Sequence, residues 1–392
     1  MSVFGYSTLA RWGETLFHLK MTPELKELYL FSLLSSSAFA LVAIFEPVFF
    51  YQEGFSLSFI ALYYAFHYTV YVFLLPLGGM FASRFGVERG ISLSLPFFVL
   101  YFLTLAAIPS NHSFIYLAGI LLTVHKIFYW PSFHADLAKF GDKVNRGTEL
   151  SWMSLLKNGV GVVGPLLGGF IAAIFGFPVL FIAVAVLLLL SAFPLLRTKE
   201  NYHARQITYA APWQLMGQRK NRRMVLSMIG WGENFVDLVY WPIFMFIVLG
   251  STELLGVVAS ITVAMMTAFG FFIGEMADRY PRRSLIRLHI PFMMVGHLLR
   301  PLSGGIFRLF LTETFSRLAF VGVQLPTFYR LYELSRRNST ITYMVAMEMV
   351  LAITKAVVAF TLAWVFATLL PYEAFWAAFG LAAFLSLFYG FL

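Results

Sequence analysis

The sequence repeats itself once, at an offset of 195 residues. Three prolines of the first half recur at this offset, Pro47 as Pro242, Pro96 as Pro291 and Pro131 as Pro326. The chain has 392 residues, so the offset is almost half its length. Such a repeat predicts two similar structural units. In a very apolar chain, two units of this kind are typical of membrane transporters built from two halves.

The chain is too apolar for a soluble protein of this length. Apolar residues make up 60% of it and charged residues 12%, whereas soluble domains have about 45–50% and about 25%. We therefore predict a membrane protein with many spans. The net charge of +9 is better explained by basic cytoplasmic loops than by a nucleic-acid partner. The chain has no Cys, which excludes disulfide and thiolate chemistry.

Twelve apolar stretches have the length of a membrane-crossing helix. We number them spans 1 to 12 and place them at 28–50, 57–80, 90–108, 113–138, 150–174, 178–196, 224–248, 254–276, 286–306, 308–333, 341–366 and 371–392. The predicted organisation is an interfacial segment 1–27, a six-helix bundle 28–196, a basic linker 197–223 and a second six-helix bundle 224–392. Spans 9 and 10 are the least apolar, since Arg300 and Arg308 lie near their junction.

Most Lys and Arg residues outside the spans lie in the alternate loops that include the linker 197–223. Cytoplasmic loops carry an excess of these residues. We therefore expect both termini in the cytoplasm and the chain in the inner or plasma membrane, in contact with the lipid bilayer.

The loops after spans 2 and 8 carry the same motif at the repeat offset. Gly79 and Arg84 of the first copy correspond to Gly274 and Arg279 of the second, which also has Asp278. We interpret these residues as a cytoplasmic gate, in which the glycine permits close helix approach and the acid pairs with an Arg or a helix N-terminus of the adjoining bundle.

With these loops, the six-plus-six layout and the basic linker, the chain resembles the major facilitator superfamily. The resemblance covers spans 1 to 12. It implies an all-α membrane protein with twelve transmembrane helices in two six-helix bundles related by pseudo-two-fold symmetry, working by alternating access without a cofactor. It also implies that spans 1, 4, 7 and 10 line a central cavity. The chain departs from the family pattern at Ser83, where an acid is usual, and at Pro281, where Gly is usual.

Span 5 contains Gly164 and Pro165 followed by Gly168 and Gly169. This run resembles the G-P-x-x-G-G motif of drug–proton antiporters of the same superfamily, which implies a gating role for Gly164 and Pro165. The alternative interpretation is close helix packing through small residues, with Pro165 bending the helix.

Ionisable residues within the spans are the candidate functional groups, because charges in hydrocarbon are costly. Five deep acids match five deep bases, which predicts that many are paired; Glu313 and Arg317 can pair along their own helix. The acids are Glu46, Glu233, Asp237, Glu313 and Glu348, and the bases are Lys126, Lys157, Arg300, Arg317 and Lys355.

Glu233 and Asp237 are one helical turn apart in span 7. Two carboxylates at this spacing repel each other, so at least one is expected to hold and release a proton. We assign the pair to proton coupling or substrate binding, with Lys126 as a partner of the released carboxylate. The neighbouring side chains could hold an apolar cation by stacking. The full predicted site adds Trp231, Asn234, Tyr240, Trp241, Arg317, Glu348 and Lys355.

The leading hypothesis is a monomeric secondary transporter that exports small hydrophobic or cationic compounds in exchange for protons. Its cavity could instead bind a sugar, because Trp, Tyr, Asn and Asp suit hydroxyl-rich rings, or an organic anion, because several bases could converge. A lysolipid is a further alternative. An enzyme or a receptor is the alternative from another class. The sequence has no H-E-x-x-H, G-x-S-x-G or Walker-type motif, so we expect no metal site, no enzymatic activity and no use of ATP.

Overall fold

The computed structural model describes residues 23–140, 147–195, 207–335 and 339–392. Within these ranges every predicted span is helical. In the first half the helices are Pro23–Val42 with Glu46–Gln52 (span 1), Leu57–Phe85, Val87–Ala107, Phe114–Phe140, Gly147–Phe175 and Phe177–Leu195 (spans 2 to 6). In the second half span 7 comprises Arg222–Gly230, Glu233–Phe235, Val236–Tyr240 and Trp241–Leu249, and spans 8 to 12 are Thr252–Arg279, Arg282–Leu299, Ile306–Ser335, Thr340–Thr368 and Pro371–Ser386.

Spans 9 and 10 are the weakest membrane segments, as the sequence predicts. Among the described helices, nine are long and apolar enough to cross a membrane by length and composition, and Phe177–Phe193 is a shorter apolar helix. Spans 9 and 10 are missing from both groups because they contain Arg300, Glu313 and Arg317. Span 9 is also shorter than predicted, since the chain turns into a 3₁₀ segment, Arg300–Leu302, at Pro301.

The two halves meet along two seams. Span 2 packs on span 11 at one seam, and span 5 packs on span 8 at the other. The repeat offset converts span 2 into span 8 and span 5 into span 11, so it also converts one seam into the other. This exchange is what a pseudo-two-fold axis between two six-helix bundles requires, and it confirms the predicted fold class.

Spans 1 and 7 are interrupted at equivalent positions. The outer helix of span 1 begins at Glu46, and the outer helix of span 7 begins at Trp241, one repeat offset later. Each helix has its proline, Pro47 or Pro242, in the first turn, where a missing N–H costs least. A π-helical turn, Val236–Tyr240, precedes the break in span 7. Pro47 and Pro242 thus mark helix starts, whereas the other repeated prolines lie inside helices.

Glycines of span 5 allow two close helix contacts. A Cβ on Gly164 or Gly168 would lie within 2.3 Å of span 1 atoms at Ala40 and Leu41. A Cβ on Gly169 would lie 2.5 Å from the carbonyl oxygen of Thr252 in span 8, where Gly256 completes the contact. The run that contains Gly164 and Pro165 therefore packs tightly against neighbouring helices, and its assignment to gating stays a prediction.

The two copies of the loop motif have different surroundings. A Cβ on Gly79 would meet Val345 of span 11 at 2.6 Å, whereas nothing lies within 4 Å of a Cβ on Gly274. The guanidinium of Arg84 lies over the ring of Phe85 at 5.2 Å, and Arg279 binds Glu275 of its own helix at 2.5 Å. The side chain of Asp278 and the segment 1–22 lie outside the described residues, so the gate and the interfacial segment stay predictions.

Replacing Gly256 with Ala is expected to lower the stability of the protein. The new Cβ would lie 2.4 Å from the carbonyl oxygen of Pro165, and this backbone atom can move away only if spans 5 and 8 separate. Overpacking of this kind costs about 1–3 kcal/mol. The measurement is the apparent unfolding temperature in detergent. Gly274→Ala is the matched control, since its Cβ would meet open space; equal unfolding temperatures of the two variants would contradict the seam contact.

Candidate functional site

Polar side chains occupy three levels between the two halves. The outer level is formed by Glu46 at the start of the outer helix of span 1 and Tyr64 of span 2, whose hydroxyl donates to Oε1 of Glu46 at 2.5 Å. Phe50 and Tyr63 pack against Tyr64 with ring centroids 6.4 and 5.0 Å away. The carboxylate is therefore held by a tyrosine hydroxyl within an aromatic setting.

The middle level is a pair of lysines on one tyrosine ring, which we call the central lysine site: Tyr68, Lys126, Asn234 and Lys355. Nζ of Lys126 in span 4 lies 5.1 Å from the centroid of the Tyr68 ring, and Nζ of Lys355 in span 11 lies 5.6 Å from it. Lys355 also donates to Oδ1 of Asn234 in span 7 at 2.8 Å. Four spans, two from each half, thus supply the site.

The central lysine site has unused hydrogen-bond donors. Within the described part of the chain, Lys126 makes no hydrogen bond, Lys355 makes one, and neither has a carboxylate oxygen within 4 Å of Nζ. An ammonium group carries three donors. Lys126 and Asn234 are only half-buried although they lie at mid-depth between packed helices. Lys126 therefore combines unused donors with a partly accessible side chain, as a ligand-binding group requires.

The inner level joins the halves through His134 of span 4. Its Nε2 donates to Oε1 of Glu348 in span 11 at 3.0 Å, because a carboxylate can only accept, and its Nδ1 lies 2.9 Å from the hydroxyl of Tyr332 in span 10. The hydroxyl of Tyr71 in span 2 lies 3.4 Å from Oε2 of Glu348. This level lies between the central lysine site and the cytoplasmic ends of these spans.

A second charged cluster lies inside the second half, and we call it the span 7–9 cluster: Glu233, Asp237, His297, Arg300 and Tyr389. The guanidinium of Arg300 binds Asp237 and also donates to Nδ1 of His297 at 2.8 Å. The hydroxyl of Tyr389 donates to Oε1 of Glu233 at 3.0 Å, and Nε2 of His297 lies 3.4 Å from Oε2 of Glu233. All five side chains are buried.

The aromatic neighbours of the two acids pack elsewhere. Nε1 of Trp241 donates to Oε2 of Glu313 at 2.6 Å, and Arg300 lies over the Trp241 ring at 4.6 Å. Tyr240 stacks on Phe366 with centroids 4.4 Å apart. Trp231 packs against Phe320, Phe328 and Tyr389. These rings complete the packing of the second half.

The structure divides the predicted site residues into two groups. Lys126, Asn234 and Lys355 meet at the centre, with Glu348 one level below. Glu233 and Asp237 are in the span 7–9 cluster, with Glu313 and Arg317 beside it as the predicted pair along span 10, at 2.7 Å. Sequence reasoning left four residues out of the site, Tyr68, Tyr71, His134 and Tyr332. Their partners are distant in the chain, and the sequence signals for them were a histidine within span 4 and the run of tyrosines in span 2.

Three ligand atoms of Glu233, Asp237 and His297 lie within 4.8 Å of one another, a spacing that a metal ion could bridge. The donor set does not suit a metal, however. Arg300 is already the positive partner of Asp237, and it uses the lone pair of Nδ1 of His297. A metal ion would need that carboxylate and would be repelled by the guanidinium.

Replacing Asp237 with Asn is expected to destabilise the fold as well as alter activity. Arg300 would remain buried without its carboxylate, and breaking a buried ion pair in this way costs about 3–5 kcal/mol. The measurement is the apparent unfolding temperature of the purified protein. The double variant Asp237→Asn with Arg300→Gln leaves no lone charge and should recover part of the loss. A single variant as stable as the parent would contradict the structural role of the pair.

Comparison with known proteins agrees with the fold. The fold resembles a crystal structure of a point variant of the nucleoside transporter NupG, with TM-score 0.69, 14% identity, and coverage of 94% of this chain and 98% of that one. It also resembles a D-xylose–proton symporter, with TM-score 0.66, 16% identity, and coverage of 93% and 96%. None of the curated proteins matches the sequence. The Major Facilitator Superfamily sequence model matches residues 28–323, and because this is most of the chain, the protein belongs to the major facilitator superfamily of membrane transporters.

Proposed function

We propose that this multi-pass membrane transporter carries a small organic anion, which binds at the central lysine site. The observation that carries the proposal is the convergence of Lys126 and Lys355 on the ring of Tyr68 with no carboxylate oxygen within 4 Å of either Nζ in the described part of the chain. Buried positive charges need a partner. A carboxylate or phosphate of the substrate would supply it.

The hydrogen-bonding chemistry supports the same class of substrate. The unused donors of Lys126 and Lys355 call for a ligand rich in acceptors. Charge-assisted hydrogen bonds to an anion are about twice as strong as neutral ones. Tyr68 lies between the two ammonium groups and offers its ring to the apolar part of the same ligand. An organic anion of metabolite size satisfies both requirements.

The position of the site supports alternating access. Below it, the His134–Glu348 contact joins the halves. Above it, the hydroxyl of Tyr240 donates to the carbonyl oxygen of Leu57 at 3.1 Å, and Oγ of Ser58 donates to that of Ala363 at 2.6 Å. Each contact joins the first half to the second. A substrate between them can leave only after one set opens.

The hypothesis of cation export loses its main support in this arrangement. It depended on Glu233 and Asp237 facing the substrate, but both are buried within the second half, where Asp237 binds Arg300 and Glu233 accepts from the hydroxyl of Tyr389. A neutral sugar or nucleoside is the second candidate. Tyr64, Tyr71 and Asn234 can hydrogen-bond hydroxyl groups, and two transporters of the same fold are named for a nucleoside and for D-xylose. A lysolipid also carries a phosphate that could meet the two lysines, so this alternative needs a test of its own.

The orientation and location follow from the loop charges. The basic linker between the halves and the basic loops on the same side support cytoplasmic termini. We assign the protein to the inner or plasma membrane as a monomer.

Replacing Lys126 or Lys355 with Met is expected to abolish anion binding. The measurement is a thermal-shift screen of the purified protein with four groups of compounds: carboxylates and sugar phosphates, neutral sugars and nucleosides, organic cations, and lysolipids. Anions should raise the unfolding temperature of the parent, and each variant should lose at least tenfold in affinity, about 1.4 kcal/mol. Lys220→Met is the control, because Lys220 is exposed in the linker. Stabilisation by cations alone, or unchanged anion affinity in both variants, would contradict the proposal.

A further inference from the structure

The span 7–9 cluster carries an excess negative charge. Arg300 balances Asp237, and Arg317 balances Glu313 at 2.7 Å. Glu233 has no Arg or Lys within ion-pair distance in the described residues; its contacts are the neutral hydroxyl of Tyr389 and His297. A lone carboxylate that is completely buried requires a positive partner or a proton.

The tautomer of His297 follows from its contact with Arg300. A guanidinium group has only donors, so Nδ1 of His297 must accept the hydrogen bond from Arg300 at 2.8 Å. The ring is therefore neutral, and its single proton is on Nε2, which faces Oε2 of Glu233 at 3.4 Å. At this distance neither buried atom has a hydrogen-bond partner. Because Nε2 already carries the ring proton, it can only donate to Oε2 of Glu233, and a proton taken up by Glu233 belongs on Oε1, beside the hydroxyl of Tyr389.

We propose that Glu233 binds the coupling proton of this transporter, with His297 as its hydrogen-bond partner, and that the proton and the anion bind together. The site is separate from the central lysine site. The acid pair Glu233 and Asp237 does not share the proton, because Asp237 is the permanent partner of Arg300. The assignment of the proton site rests on the span 7–9 cluster alone. The direction of coupling rests in addition on the proposed anion transport.

The link to the substrate passes through span 7. Asn234 follows Glu233 directly and accepts from Lys355 of the central lysine site at 2.8 Å. Phe235, the next residue, packs on Tyr68 with centroids 6.3 Å apart. The helix is irregular here, with a break before Glu233 and a π-helical turn after Phe235. Such turns often mark functional sites. One irregular segment thus carries a proton site on one side and substrate contacts on the other.

The sign of the coupling follows from Lys355. Lys355 donates to Asn234, the residue next to Glu233, so its positive charge attracts the Glu233 carboxylate while the central site is empty. A bound anion neutralises the positive charge of Lys355. The Glu233 carboxylate then loses the attraction of that charge, and its protonation becomes more favourable. By linkage, a proton on Glu233 strengthens anion binding by the same factor. Anion and proton therefore travel in the same direction.

The charged and titratable groups around Glu233 determine which group in the cluster can exchange a proton. They come from every element packed around it: Asp237 in span 7, His297 and Arg300 in span 9, Glu313 and Arg317 in span 10, Lys355 in span 11, and Tyr389 after span 12. Among them Arg300, Arg317, Asp237 and Glu313 form two closed ion pairs. Glu233 is the group that is left to exchange a proton.

The proton site can be tested without a substrate. Infrared pH titration of the full-length protein should show the C=O band of a protonated buried carboxyl group, lost in Glu233→Gln and kept in the surface control Glu275→Gln. Tyr389→Phe removes a donor that stabilises the carboxylate, so the band should persist to higher pH; this variant keeps the test decisive if Glu233→Gln does not fold. A band that survives in Glu233→Gln would overturn the proposal. If Na⁺ displaces the band, the site binds a metal ion in place of the proton, and that result would also overturn the proposal.

The direction of coupling has its own test. In proteoliposomes, an inward proton gradient should drive uptake of whichever carboxylate or sugar phosphate stabilises the parent protein. Glu233→Gln mimics the protonated state, so it should retain anion exchange across the membrane and lose the at least tenfold response to the gradient. Gradient-driven uptake by that variant would refute the coupling role. If Glu233 titrates but no anion binds, the proton site stands and the anion proposal fails.

Discussion

Every charge in the hydrocarbon region must find a partner, and this requirement arranges the helices of the second half. Asp237 binds Arg300 and thereby joins span 7 to span 9. Tyr389 binds Glu233 and brings the end of the chain against span 7. Trp241 binds Glu313 and adds span 10. Water cannot satisfy these groups, so each bond determines where a helix lies as well as how a charge is stabilised.

The same requirement makes the centre of the molecule different from its surroundings. Glu46 and Glu348 have partners in Tyr64 and His134. Lys126 and Lys355 share an aromatic ring and leave donors unused. A site that is complete without a ligand has no reason to bind one, whereas two incompletely paired ammonium groups favour an anion strongly. The contrast between closed ion pairs such as Asp237–Arg300 and two lysines with unused donors separates structural charges from charges available to a ligand.

Local patterns in the sequence were sufficient for the architecture. The twelve spans and the two-fold repeat follow from apolar length and proline position alone, whereas the interruptions of spans 1 and 7 beside Pro47 and Pro242 were not predicted. The partners of the buried charges did not follow, because His134 and Glu348 are 214 residues apart and Asp237 and Arg300 are 63 apart. The direction in which span 7 presents its side chains was also beyond the sequence. Its helix break and π-helical turn change the face that a regular helix of 3.6 residues per turn would give to Glu233 and Asp237.

The low apolarity of spans 9 and 10 has a consequence for how the protein is made. A segment that carries Arg300, or Glu313 with Arg317, inserts poorly into a bilayer by itself. The partner of Arg300 is Asp237, which the ribosome produces earlier, so span 7 must remain near the insertion machinery until span 9 arrives. The second half therefore assembles around the Asp237–Arg300 pair, whereas none of the ion pairs described in the first half imposes a similar wait on spans 1 to 6.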